Sequence, residues 1–162
     1  MSNSGAMAGF RVLDLTEGLG GPFCTMHLGD SGAEVLKIEP PGGDRARRIG
    51  PAIGDESAVF LSLNRNKKSV VIDYRTAEGR EIVKRLAHSA DVIVEDFGPG
   101  GAVKMGLGYD DLKDDNPRLV YCAISPFGED GPLGVLGLGG VTSSCYAPRG
   151  AVDASPCCAH PV

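Results

Sequence analysis

The chain has 162 residues, 42% of them apolar and 23% charged, with a net charge of −5. That is length for one domain rather than two, with enough apolar content for a packed core. The acid excess leaves no basic stripe to neutralise a duplex, which excludes nucleic acid as a partner; the densest basic cluster, Arg45, Arg47 and Arg48, suits one small phosphorylated ligand at most. Apolar runs are of strand length, far below the roughly 20 residues of a membrane span. Met1–Ala8 lacks the apolar core of a signal peptide and reads as a flexible tail. Five cysteines without framework spacing point to a reducing cytoplasm, with Cys24 and Cys122 as buried thiols.

Phe10–Leu15 is a short apolar run that reads as a strand. Gly18–Pro22 breaks it, and Pro22–Leu28 reads as a helix with proline at a favoured first position. Glu34–Glu39 is a second strand, ended by Pro40-Pro41-Gly42-Gly43. A loop rich in Gly, Arg and Pro runs to about Asp55. A short helix over Ser57–Leu63 and a polar turn over Asn64–Lys68 follow. Ser69–Asp73 is a third strand rich in β-branched residues. Thr76 caps the clearest helix, which carries Glu78 in its first turn. Ile82, Val83, Leu86 and Ala87 form its apolar stripe, and Glu81 and Arg85 an outer i,i+4 pair. Asp91–Glu95 is a fourth strand, Tyr109–Asp115 a short helix and Leu119–Ala123 a fifth strand.

Strands and helices alternate, and the strands read as apolar on both faces. The expected fold class is therefore α/β, a doubly wound and mainly parallel sheet, with ligands at the carboxyl ends of its strands. The pattern stops near Leu133. Residues 133–162 hold one acid, Asp153, one base, Arg149, and three of the five cysteines, with no helix or strand period. An irregular tail is expected there, either disordered or a non-native continuation such as a frameshift leaves.

Gly18-Leu19-Gly20 after the first strand, with Glu39 ending the second, invites a dinucleotide reading. The third glycine of that fingerprint falls on Phe23, whose ring opposes close packing of helix on sheet, so a plain glycine-rich turn explains the segment better. Asp44–Arg48 reads as a solvated loop, though arginine forks suit phosphate. His27 and His88 lack a second ligand at metal spacing, so no metal site is expected.

Seven collinear stretches carry a family resemblance. They are Gly9–Thr16, Gly21–Thr25, Gly32–Asp44, Leu63–Ser69, Ala90–Gly100, Met105–Tyr109 and Asn116–Leu119. In order and spacing they resemble family III CoA-transferases of the CaiB/BaiF type, over about Gly9–Pro132. The resemblance implies a Rossmann-like CoA-binding domain, present here in part, from a two-domain subunit that forms an interlocked homodimer. It implies acyl-CoA and a carboxylic acid as substrates, with no other cofactor. The CoA contacts it implies are Ile72, Asp73, Tyr74, Arg75, Asp96, Phe97, Gly98 and Lys104.

Three positions depart from the family pattern: Asp96 stands where asparagine is usual, Leu19 where formyl-CoA transferase has a glutamine, and Pro40 where it has a basic CoA contact. The family transferases form an aspartyl acyl-enzyme, and the aspartate lies beyond a Gly-Tyr-Asp-like stretch. That stretch has no counterpart after Leu133, and Asp153 lacks its context, so no catalytic residue is assigned. The resemblance thus implies a CoA-transferase front portion, inactive alone. Its alternatives are a fragment of an α-methylacyl-CoA racemase, which needs a catalytic histidine, and a non-enzymatic CoA-binding remnant.

Overall fold

Alternating side-chain direction along β1 (Arg11–Leu15) sends Val12 and Asp14 to one face of the sheet and Leu13 and Leu15 to the other. The computed structural model describes residues 5–54, 56–125, 128 and 142–146. Its remaining elements are α1 (Gly20–Asp30), β2 (Glu34–Glu39), a 3-10 turn (Arg45–Arg48), β3 (Ala52–Ile53), β4 (Glu56–Ser57), α2 (Ala58–Leu63), β5 (Lys67–Val71), α3 (Ala77–His88), β6 (Val92–Glu95), α4 (Gly101–Lys104), α5 (Tyr109–Leu112), β7 (Val120–Ser125) and β8 (Thr142–Tyr146).

The main sheet runs in the order β5-β2-β1-β6-β7-β8, and β3 and β4 form a separate two-stranded ribbon. β5, β2, β1, β6 and β7 are mutually parallel. This is the expected α/β class. β8 pairs antiparallel with β7, so the irregular stretch after Leu133 contributes one strand. The other residues of 133–162 lie outside the described residues, Asp153, Cys157 and Cys158 among them.

Each face of the sheet carries its own core. Leu13, Leu15, Ile38 and Ile93 pack with Val83 and Ala87 of α3 and with Leu107, Leu112 and Tyr121. Val12, Val35, Val94, Cys122 and Ile124 pack on the other face with Cys24 and Leu28 of α1. Met7 joins this second cluster, and its N–H donates to Ser31 O at 2.9 Å. Residues 5–8 are therefore docked rather than frayed.

α3 follows its sequence signals closely. Thr76 Oγ1 accepts the Gly79 N–H at 3.0 Å, and Glu78 lies in the first turn. Its buried stripe is Val83 and Ala87, with Leu86 beside them; Ile82 faces outward. Glu81 pairs with Lys84 at 3.6 Å instead of Arg85. The largest shift is in β5, which begins at Lys67 inside the expected polar turn and ends at Val71, leaving Ile72 and Asp73 in the loop beyond it.

Among the described residues, no strand covers the outer side of β5, where Val71 is 61% exposed and Val70 36%. An open edge with apolar side chains templates edge-to-edge pairing. The purified chain is expected to self-associate, and Val71→Lys to reduce that association in light scattering over a concentration series. A native chain that stays monomeric throughout contradicts this.

Candidate functional site

The carboxyl end of the sheet on the α1 face is ionic, not apolar. Asp14 of β1 is 0% exposed. Its Oδ1 accepts the Thr16 N–H at 3.0 Å and the Thr16 hydroxyl at 2.5 Å. Its Oδ2 accepts the Thr25 hydroxyl at 2.7 Å and Lys67 Nζ at 3.0 Å. Lys37, paired with Asp14 in the β1–β2 register, places Nζ 3.9 Å from the same oxygen. Burial works to raise the Asp14 pKa, but Lys37, Lys67 and the two threonines overcome it and hold the carboxyl below its usual range. Burial is also the main influence on Lys67, pulling its pKa down against Asp14.

Lys37 carries the network outward. Its Nζ donates to Thr16 O at 2.7 Å and lies 2.8 Å from Asp44 Oδ2. Asp44 Oδ1 accepts the N–H groups of Gly18 at 2.8 Å and Ala46 at 2.7 Å. The loops after β1 and β2 are thereby fixed to one another. Gly21 lets α1 close on this corner, since a Cβ there would stand 2.2 Å from Thr16 Cβ. Glu39 is bound up separately: Arg47 forks onto it at 2.7 and 2.8 Å, Ser69 Oγ donates at 2.5 Å and Asp44 N–H at 2.8 Å. Despite burial, these donors lower its pKa to about 2. Arg47 also stacks 3.7 Å over the Phe60 ring. Glu39 thus has no oxygen left for a ribose, which removes the dinucleotide reading. The Asp44–Arg48 stretch is not a solvated loop, because Asp44 and Ala46 are buried and Arg47 is committed.

In this strand order the winding reverses between β1 and β6, and a crevice opens beyond the carboxyl ends of such neighbours. Asp96 sits there, 15% exposed at its side chain, and both its oxygens accept the Glu17 N–H at 3.1 Å. Arg45 Nη2 lies 4.0 Å away. Burial pushes the Asp96 pKa up to about 7, with Asp14 adding to the shift and the Glu17 N–H, Arg45 and Lys37 opposing it. The carboxylate that replaces the usual asparagine therefore faces a donor and a cation.

Of the other residues singled out in the sequence, Tyr74, Arg75, Phe97 and Gly98 lie on loops at this edge of the sheet. Tyr74 is buried, with its ring 5.2 Å from that of Phe97. Burial and the Glu17 and Asp96 charges push its phenol well above the ordinary range. Arg75 forks onto Asp73 at 2.8 and 3.2 Å. The Phe97 N–H donates to Glu95 at 2.8 Å, and Gly98 turns the chain with φ of 78°. Ile72 belongs to the core. Lys104 is exposed in the last turn of α4, and no hydrogen bond or ion pair among the described residues ties its side chain to 72–75 or 96–98. A cavity of about 160 Å³ runs alongside, lined by Glu95, Gly98, Gly100, Tyr109 and Tyr121 among others. A larger one, about 220 Å³, opens at the opposite, amino edge of the sheet near Arg11, Glu34 and Lys68, away from these loops. Among the described residues no group of three His, Cys, Asp or Glu is placed to hold a metal ion. No helix there is long and apolar enough to cross a membrane.

The model of the family described as CoA-transferase family III matches residues 7–142. The chain belongs to CoA-transferase family III. It is 47% identical over 135 residues to human succinyl-CoA:glutarate CoA-transferase, covering 82% of this chain and 31% of that one. It is 45% identical over 130 residues to acetyl-CoA:oxalate CoA-transferase of Acetobacter aceti, covering 80% and 33%. A crystal structure of a CaiB/BaiF family protein from Brucella suis superposes with a TM-score of 0.77 at 42% identity, over 84% of this chain and 37% of that one. The chain spans about a third of the length of the curated relatives it matches. Within the CoA-transferase frame, the Tyr74–Phe97 contact brings the segments 72–75 and 96–98 together, and Lys104 lies in α4.

Two outcomes test the electrostatics. Lys37→Met leaves Asp14 and Asp44 short of a buried cation and is expected to cost about 3–5 kcal/mol in urea unfolding. For Asp96 the folded pKa is near 7 and the unfolded one near 4, so the folded state binds more protons between them and stability falls as pH rises. Asp96→Asn keeps an acceptor for Glu17 and removes the charge. It should match the native chain near pH 4 and exceed it by up to about 4 kcal/mol above pH 8. A pH-independent difference overturns the Asp96 assignment.

Proposed function

We propose that the chain is a CoA-binding portion of an enzyme that moves CoA between an acyl-CoA and a carboxylic acid. The observation that carries this reading is the crevice at the strand reversal, where the loops 73–75 and 96–98 meet beside Arg45. Rossmann-like sheets take nucleotide-bearing ligands at that place. CoA enters as a substrate, with no further cofactor. The human and Acetobacter relatives are named as transferases between acyl-CoA and a dicarboxylate, which favours transfer over racemisation.

The chemistry proposed for the intact enzyme runs through an aspartate. Its carboxylate attacks the acyl-CoA thioester and displaces CoA thiolate, giving a mixed anhydride. CoA thiolate then attacks the aspartyl carbonyl, releasing the acyl group as its carboxylate. The acceptor carboxylate then attacks the aspartyl thioester and displaces CoA thiolate, giving a second mixed anhydride, and the thiolate attacks the acceptor's carbonyl carbon, forming the new acyl-CoA and freeing the aspartate. The sequence offers no counterpart of that aspartate in its family context, so the 162-residue chain is proposed to bind CoA without turning it over. The interlocked homodimer belongs to the same reading and rests on the family resemblance.

Isothermal titration with CoA tests this. The chain is expected to bind, with affinity falling as salt rises, and Arg75→Ala and Lys104→Ala each to weaken binding by roughly five- to tenfold, the size of one charge-assisted contact. Absence of binding at millimolar CoA contradicts the reading. Transfer of CoA to succinate by this chain alone contradicts the assignment of catalysis elsewhere.

A further inference from the structure

The carboxyl-edge loops lie beyond the strand ladder, and besides their bonds to strand-end residues such as Ile72 N–H to Glu39 O, contacts between the loops help set their spacing. Four contacts of that kind converge on Glu17. Its N–H reaches both oxygens of Asp96 at 3.1 Å, in the loop after β6. Its carbonyl accepts Arg45 Nη2 at 3.2 Å, and its Oε2 accepts the Arg45 N–H at 3.2 Å, in the loop after β2. Its Oε1 accepts the Tyr74 hydroxyl at 3.3 Å, in the loop after β5. Glu17 itself follows β1. One residue in the loop after β1 therefore touches the loops after the three strands β5, β2 and β6.

We propose that Glu17 is the positioning residue of this site, clamping the loops that carry Arg45, Tyr74 and Asp96 into one crevice. The proposal rests on the CoA-binding reading above for its ligand, and on geometry alone for the clamp. Both carboxylate oxygens are committed to donors, so Glu17 has no free oxygen to act as a base. Arg45, 66% exposed at its side chain, lies against Glu17 and Asp96 and offsets their charge beside an anionic ligand. Tyr74 buries its ring against Phe97, so its hydroxyl depends on Glu17 for an acceptor, and a displaced Tyr74 would shift Asp73, Arg75 and Phe97 with it. Long contacts of 3.1–3.3 Å make each bond modest, and the effect lies in their convergence.

The test compares the native chain with Glu17→Ala and Glu17→Gln by CoA titration, thermal unfolding and backbone amide NMR. Glu17→Ala is expected to weaken CoA binding at least tenfold and to move the amides of Tyr74, Arg75, Phe97 and Gly98, while those of Leu13, Ile38 and Ile93 stay in place. Glu17→Gln keeps an acceptor and all backbone contacts, so it should return affinity to within about threefold of native. A purely structural role would lower the melting temperature in both variants without separating them in affinity. Glu17→Ala with native CoA affinity and unmoved loop amides overturns the clamp. If Glu17→Ala does not fold, Tyr74→Phe removes one arm alone; the clamp then requires shifted amides at Phe97 and Gly98 together with weaker binding, and fails without them. Should the native chain not bind CoA, the CoA reading falls, while the loop amides of Glu17→Ala still decide the clamp.

Discussion

The Asp14 carboxylate lies in the sheet with no access to water, and the carboxyl edge is organised around keeping it charged there. A buried carboxylate is stable only when its Coulomb and hydrogen-bond partners outweigh lost solvation. Here two threonine hydroxyls and two ammonium groups do so. Asp44 adds a second buried carboxyl group opposite Lys37, so in this cluster two acids face two bases. The requirement is geometric as well as electrostatic. Lys67 Nζ reaches acceptors from Asp14, Pro22, Thr25 and Asn64, which ties β5, β1, α1 and the end of α2 to one point.

From that point the site is built outward in layers. Lys37 holds Thr16 and Asp44; Asp44 holds Gly18 and Ala46; Glu39 and Arg47 brace the same loop from its far side. Only then come Arg45, Asp96 and the Tyr74–Phe97 pair. The order matters for function. A crevice for a multiply charged ligand needs rigid walls, and loops supply them only when tied to a core that does not yield. The crevice is thus seated on an ionic core.

Much of the fold was legible because each main element carries a plain period or cap. Thr76 and the Val83–Ala87 stripe marked α3, and apolar runs marked β1, β2, β6 and β7. Charge misled where burial overrides composition. Lys67 looks like a turn residue, yet it enters β5 because Asp14 offers its ammonium a buried partner. Ile82 looks like a core residue and points outward, since the stripe is narrower than its apolar content. The short helix α4 and the β3–β4 ribbon are too brief to show a period. The 72–75 and 96–98 loops entered as expected CoA contacts through the family resemblance alone. The ionic network beneath them and the contacts of Glu17 were not read from the sequence. A signal was present: Asp14 and Thr16, Lys37 and Glu39, and Lys67 and Ser69 are polar pairs two apart at the ends of three strands, all facing α1. Reading those strands as apolar on both faces hid it.

Native-state hydrogen exchange of the Gly18 and Ala46 amides tests the central claim most directly. Both donate to the buried Asp44 carboxylate from loops outside any strand. If the ionic core sets the edge, these amides exchange only when the whole domain unfolds, with protection equal to that of the β1 amides. Exchange at the rate of an open loop, with β1 still protected, would show that the edge is ordered by something other than Asp14, Lys37 and Asp44.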